Sequence, residues 1–188
     1  MPNEPRFETL YDLAQVDPPN LLFLALSAVA FAVALGALIV RRRKGQKLNV
    51  AVFFTAAFAL VLAVSVLSVW DHHRLQQALR DGHSLVVQGL LQSHTVQQRA
   101  AYNPSTKRYD RSIAESFYIA DVPFGFVRDG SAAGFTNSGD AVVELVNGQV
   151  LRVRYVEDTP GDFASRRILR VERLVVPAAD AATRAGNG

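Results

Sequence analysis

Four histidines, His72, His73, His83 and His94, are the residues whose type first suggests chemistry, and all lie between positions 72 and 94. Imidazoles hold zinc when two share a helix face at i, i+4, as in HExxH, where a glutamate supplies the base. Neither arrangement occurs: His72 and His73 are adjacent and diverge on a helix, and no two of the four stand four apart. They read as interfacial and surface histidines, with pH sensing open to them. Other chemistries fare no better. The chain has no cysteine, hence no thiol nucleophile and no disulfide. It has no GxSxG, no Walker A motif and no glycine fingerprint after a strand. Asp121, Asp129 and Asp140 sit beside turn residues, where aspartate is ordinary turn chemistry. No catalytic, metal or cofactor-binding residue is assigned, and no cofactor is expected.

The elements that would position any site start with two uncharged runs, residues 21–40 and 50–69. At about 1.5 Å per residue, each gives a helix of roughly 30 Å, the thickness of a bilayer's hydrocarbon core. A chain of 188 residues is too short to bury two such helices inside a soluble core. The first run is not expected to be a cleaved signal: Glu4, Glu8, Asp12 and Asp17 precede it against a lone Arg6, and it ends in Arg41-Arg42-Arg43-Lys44. Between the runs lies "RRRKGQK", with Arg41, Arg42, Arg43, Lys44 and Lys47 in one short loop. Short basic loops stay cytoplasmic, so these five residues are the topology determinants, and Gly45 lets the loop turn tightly. Contact between the loop and anionic lipid follows as a by-product. The expected order is an extracytoplasmic N-terminal tail at 1–20, transmembrane helices at 21–40 and 50–70 around a cytoplasmic loop at 41–49, then an extracytoplasmic domain. Small residues every four positions, Ala28/Ala32/Gly36 and Thr55/Ala59/Ala63, predict that the two helices pack closely.

The sequence pI of about 9.5 suggests a polyanion partner until the charges are located. Residues 71–188 hold 14 Lys+Arg and 13 Asp+Glu, a net of +1, so nucleic acid is not expected as a partner. Trp70 is an interfacial anchor, and Leu75, Ala78 and Leu79 give a junction helix at 71–82 one apolar face, ended by Gly82. Strand patterns follow from 83 to 176. "SLVVQGLLQSHTVQ" is long for one strand, with a bend or bulge expected at Gly89. "ESFYIADVPFGFV" is a hairpin turning at Ala120-Asp121, and Pro123 marks an edge strand. Asn147-Gly148 predicts a second hairpin, with arms 141–146 and 149–158. "RRILRVERLVV" is the last strand, and 177–188 is expected to be a disordered tail. A membrane α-hairpin followed by a small all-β, OB-like β-barrel fits this order, because closure removes exposed edges; a small open sandwich is the alternative.

The segments "LQQALRDGHSLVVQGLL", "ESFYIADVPFGF", "AAGFTN", "NGQVLRVRYVE" and "RILRVER" resemble a group of bacterial two-span membrane proteins with an extracytoplasmic β domain. The likeness spans about 100 residues and its motifs are structural. Gly134-Phe135-Thr136-Asn137 departs from the group's Gly-Phe-Asn order, and "SGDAVV" stands where the group carries Gly-Gly-Pro-Ile. The layout is also similar to that of NfeD-type proteins. The group carries no assigned activity, so the resemblance implies a fold and a bacterial inner-membrane location but no reaction.

The function expected is therefore binding or scaffolding without catalysis, with the lipid bilayer and an envelope protein as partners and homo-oligomerisation open. Tyr118, Phe124, Phe126, Phe135, Arg152 and Arg154 are the candidate partner surface, Arg152 and Arg154 alternatively pairing with Glu172 across the sheet. An accessory subunit of a larger membrane complex is the second possibility. An envelope hydrolase is the third, and would need polar groups such as Asp121, Asn137 and Tyr155 to converge in a pocket.

Overall fold

The computed structural model describes residues 6–18, 21–47, 49–104, 107–128, 130, 133–138, 142–159, 161–162 and 165–175. Asp129, Asp140 and the segment 177–188 lie outside them. The chain divides into two compact units: residues 17–74, and a β unit that joins residues 1–16 to residues 75–188.

The helical unit contains α1 (Leu21–Arg43) and all but the last six residues of α2 (Asn49–Arg80), which belong to the β unit. Both helices are long and apolar enough to cross a membrane, and almost none of either span is buried, unlike a soluble core helix. Backbone groups are satisfied within each helix, and the hydroxyls follow suit: Ser27, Thr55 and Ser65 donate to the carbonyls of Leu24, Ala51 and Val61. Gly45 ends α1 in the left-handed region, at φ 65°. Its amide reaches the Arg42 carbonyl and that of Gln46 reaches Arg41, while three arginines in the last turn face the negative end of the helix dipole. The covered side of α1 runs through Leu24, Ser27, Phe31, Ala34 and Leu38, with Ala28 and Ala32 exposed. A Cβ added at Gly36 would meet nothing within 4 Å, so the close approach expected at Ala28/Ala32/Gly36 is not made.

The boundary expected at residue 70 is absent, since α2 continues unbroken to Arg80. No proline or glycine interrupts it, and Leu75 and Leu79 give its end an apolar face that the β unit covers. Gly82, at φ 74°, closes it, with the His83 amide bonded to the Ala78 carbonyl.

Among its described residues the β unit has six antiparallel strands: β1 (Arg6–Asp12), β2 (Leu85–Asn103), β3 (Arg108–Ile119), β4 (Val122–Val127), β5 (Val150–Glu157) and β6 (Arg166–Val175). Their order is β1-β6-β5-β2-β3-β4. β1 and β4 are both edges, so the sheet is open and the closed OB-like barrel is not formed. The segment read as an N-terminal tail supplies one of those edges. Glu8 pairs with Arg173 in register, and Thr9 with Glu172. Asp12 caps the following 3-10 turn by accepting from the Ala14 amide, and also accepts from Arg170 Nε at 3.1 Å. Arg170 and Arg152 flank Glu172, with Arg152 Nε 2.6 Å from Glu172 Oε2, the cross-strand pair expected from the alternation.

Two apolar clusters hold the unit together. The larger gathers Leu91, Phe117, Ile119, Phe124, Leu151, Val153 and Val171. The smaller packs Leu75 and Leu79 of α2 against Leu13 and Leu169. Gln76 donates to the Leu13 and Val16 carbonyls at 3.0 and 3.1 Å, tying the end of α2 to the turn after β1. Tyr11 lies edge-on to Phe135, and burial, with Asp12 adding to it, pushes its hydroxyl pKa up to about 12.

The β3–β4 hairpin turns at Ala120-Asp121 as expected, both with positive φ, which gives the twist of a two-residue turn. The Asn147-Gly148 turn also forms, but its first arm is not a strand. Residues 142–146 run outside the ladder because Leu91 takes the Gln149 carbonyl and Gly148 the Leu91 carbonyl, which seats β5 on β2. The irregularity expected at Gly89 lies further on, between Gln92 and Thr95, where Ser93 adopts φ 52°. Gly89 itself pairs regularly with Leu151. Its reason is space: a Cβ there would stand 2.8 Å from that of Ala120. Gly89→Ala is expected to cost about 1–3 kcal/mol through overpacking. Adding Ala120→Gly should recover most of it, since glycine also suits φ 45° there. Urea unfolding of the single and double variants checks this, and equal loss in both would refute the contact as the cause.

Candidate functional site

β3 alternates cleanly: Phe117 and Ile119 face the core, Ala114, Ser116 and Tyr118 face away. Glu115 sits in line with Phe117 and Ile119, so its carboxylate is carried inward, and its side chain is fully buried. A carboxylate taken out of water needs compensation. Arg128, just after β4, donates from Nε at 2.7 Å and from a terminal nitrogen to the same Oε1. His94 Nε2 stands 3.3 Å from Oε2, and Asn137 Nδ2 lies 3.4 Å from both oxygens.

Each partner is placed by a local device. His94 lies within the β2 irregularity, and its amide bonds to Asn147 Oδ1 at 2.9 Å. Asn137 adopts φ 49°, a conformation asparagine tolerates better than most residues. Its amide also clasps Val143 on both sides, accepting from N at 2.8 Å and donating to O at 3.1 Å. One buried carboxylate thus ties β2, β3, the end of β4 and the 133–138 loop together. The alternation in "ESFYI" carried the signal for a buried Glu115, since it shares a face with Phe117 and Ile119. No sequence signal pointed to Arg128.

Beside this cluster a groove of about 840 Å³ runs along the β4 edge. Ala114, Ser116, Gly125 and Val127 form one side, and Gly130, Ala133, Gly134 and Thr136 with the start of β6 form the other. The small residues leave room that larger side chains would fill. The loop borders the gap a closing strand would occupy and is held on the β6 side: the Phe135 amide bonds to the Ile168 carbonyl at 2.9 Å. Arg166 spans from β6 to the Pro123 carbonyl at 2.9 Å, and its hydrogen bond holds the Glu157 carboxyl below the usual range.

The ladder shows what the edge offers. Counted from the two-residue turn, Phe117–Phe124 and Glu115–Phe126 are the pairs that exchange both hydrogen bonds. Pro123, Gly125 and Val127 therefore turn their backbone groups to the open side. The Pro123 carbonyl takes Arg166 and the Val127 carbonyl takes the Gly130 amide. Gly125, between them, has no backbone partner on that side among the described residues.

The candidate partner surface is only partly a surface. Phe124 and Phe135 are buried, and Phe126 packs against the core and edge-on to Phe135. The sequence left core and surface both open for these aromatics, because a hairpin's faces cannot be ranked without knowing what covers them. Tyr118 is exposed. Arg152 is held by Glu172 and lies 4.1 Å from the Phe7 ring centroid, and Arg154 stands opposite Val86 and Arg170 with Nε buried. Asp121, Asn137 and Tyr155 have different surroundings: the β3–β4 turn, the Glu115 cluster, and the core against Phe124. Arg41, Arg42 and Arg43 end α1, Lys44 and Lys47 follow, and all five are exposed. No protein-family model matches the chain, and no curated protein or solved structure matches it.

Removing Arg128 leaves an uncompensated buried charge, so Arg128→Met is expected to destabilise the β unit by about 3 kcal/mol. Combining it with Glu115→Gln should restore more than half, because the charge goes with its partner. Hydrogen exchange of the β3 amides reads both variants. A loss below about 1 kcal/mol in Arg128→Met would remove the carboxylate from this structural role.

Proposed function

We infer that the chain is a membrane-anchored binding module, without catalytic activity, that presents its β unit on the extracytoplasmic face of a bacterial inner membrane. The observation that carries the orientation is the β1–β6 pairing, because residues before α1 and residues after α2 build one sheet. Such a sheet requires both ends of the helical pair to emerge on the same side. The basic turn with Arg41, Arg42, Arg43, Lys44 and Lys47 then lies on the other side, and the positive-inside tendency makes that side the cytoplasm. The resemblance to two-span bacterial membrane proteins agrees with this arrangement.

The β4 groove is the docking site in this reading. An extended segment of an envelope protein adds to the β4 edge, pairing with the outward amide and carbonyl of Gly125 while Ala114 and Ser116 leave room for its side chains. Among the described residues no strand closes on β4, which supports strand addition, since open edges invite it.

Protease treatment of spheroplasts is expected to remove a C-terminal tag, and neutralising Arg41, Arg42, Arg43 and Lys44 to yield a mixed population with protected tags. A tag protected in the unaltered chain would overturn the orientation. For the groove, a photo-crosslinker at Val127 is expected to capture an envelope protein in cells. Gly125→Pro removes the outward amide yet leaves the β3 ladder intact, as Pro123 already does, and should abolish the adduct. Tyr118→Ala should leave it unchanged. An adduct that survives Gly125→Pro would rule out strand addition at this edge.

A further inference from the structure

β2 and β3 outrun the sheet. β5 accompanies β2 only from Leu85 to Leu90, and β4 accompanies β3 only from Ala114 to Ile119. The Arg128 amide still reaches the Ile113 carbonyl, so residues 99–103 and 108–112 are the ones that pair with each other alone, a two-stranded arm of roughly 17 Å at about 3.4 Å per residue. Such a ribbon is marginal in water without an apolar face to bury. Among its described residues no large side chain is buried, so core packing does not account for it.

Its composition is also unlike the rest of the β unit. Arg99, Lys107, Arg108 and Arg111 face a single acid, Asp110, for a net of +3 over residues 98–113. The remainder of residues 71–188 is then −2, since the whole is +1. Arg99, Arg108 and Arg111 are exposed and form no ion pair among the described residues. Near the tip Tyr102 and Tyr109 stand opposite each other in register. Their rings are 5.3 Å apart, and they are 55% and 69% exposed. Tyrosines with an apolar body and a polar tip, set among cations, match the headgroup layer of an anionic bilayer. There cations near the surface are drawn to the anionic lipid, and salt weakens that attraction.

We propose that the β2–β3 arm docks tip-first on anionic phospholipid, with Tyr102, Tyr109 and Arg111 on one face and Arg99 and Arg108 on the other, so that the tyrosines enter the headgroup layer and these arginines, with Lys107 at the turn, meet lipid phosphates. The arm takes a different ligand from the β4 groove, whose lining it meets at Arg99. It deepens the membrane-anchored reading above, on which it rests.

The absence of cysteine makes single-site labelling direct. The full chain carrying Pro104→Cys, or Glu144→Cys as a reference outside the arm, is spin-labelled and reconstituted in vesicles. Vesicles of phosphatidylcholine alone are compared with vesicles in which about a third of the lipid is phosphatidylglycerol. The label at 104 is expected to lose access to an aqueous relaxant in the anionic vesicles only, and to regain it in ~1 M salt, where the Debye length is about 3 Å. The label at 144 should stay accessible in both. Replacing the four cations with glutamine should abolish the change at 104, and Tyr102→Ala with Tyr109→Ala should weaken it. Equal access at 104 in both vesicles, or a loss that survives the glutamine variant, overturns the proposal. Failure of the chain to float with neutral vesicles would instead defeat the membrane-anchored reading, so the two outcomes are distinguishable.

Discussion

The pairing of β1 with β6 is the constraint on which the rest depends. A strand placed before the helices finds its partner in the last strand after them, so the two helices form a closed excursion from one sheet. Loop closure over so long a segment carries an entropic cost that grows only slowly with length. Tying β1 down takes more than its ladder. Asp12 is almost fully buried and serves two donors at once, the Ala14 amide and Arg170. Leu13 is buried beside Leu75, Leu79 and Leu169, and Gln76 takes the two carbonyls that follow. The end of α2 is thus built into the same corner as the end of β1, and this is why the helix runs on past Trp70.

The far end of the sheet solves the opposite problem. Among the described residues β4 has no strand beyond it, and the 133–138 loop borders the gap, held on the β6 side. Glu115 supplies the fixed point. Its carboxylate is buried, and Arg128, Asn137 and His94 converge on it from three segments. A buried charge of this kind adds less stability than a well-packed apolar side chain would, but it penalises any arrangement that leaves it unpaired. The groove exists because this fixation holds the loop off the edge, while Ala114, Ser116 and Gly125 leave the intervening space empty.

The long β2 joins these two ends. Its first part lies under β5 and its last part extends into the arm, with the irregularity between Gln92 and Thr95 separating the two courses. That same irregularity brings His94 to Glu115. A single strand therefore serves the core, the buried cluster and the exposed basic arm in turn.

Local pattern was sufficient wherever neighbours in sequence decide the structure. Two charge-free runs specify two long helices, Gly45 and Gly82 specify their ends, and Ala120-Asp121 between alternating apolar residues specifies the β3–β4 turn. The Arg152–Glu172 pair was legible too, since alternation places both on one face. What local pattern could not set were partners distant along the chain. Residues 6–12 carry too little periodicity to be read as a strand, and become one only because β6 offers an edge. Residues 142–146 look like a strand and are not, because β2 already holds the edge they would need. Phe124 and Phe135 are buried, and Arg128 meets Glu115, through contacts between segments that only the folded sheet brings together. The amino-acid sequence by itself determined which stretches are helical, where the turns fall and where the charge is concentrated. The tertiary structure alone decided that the sheet stays open, because closure depends on which edges remain free after all six strands have paired.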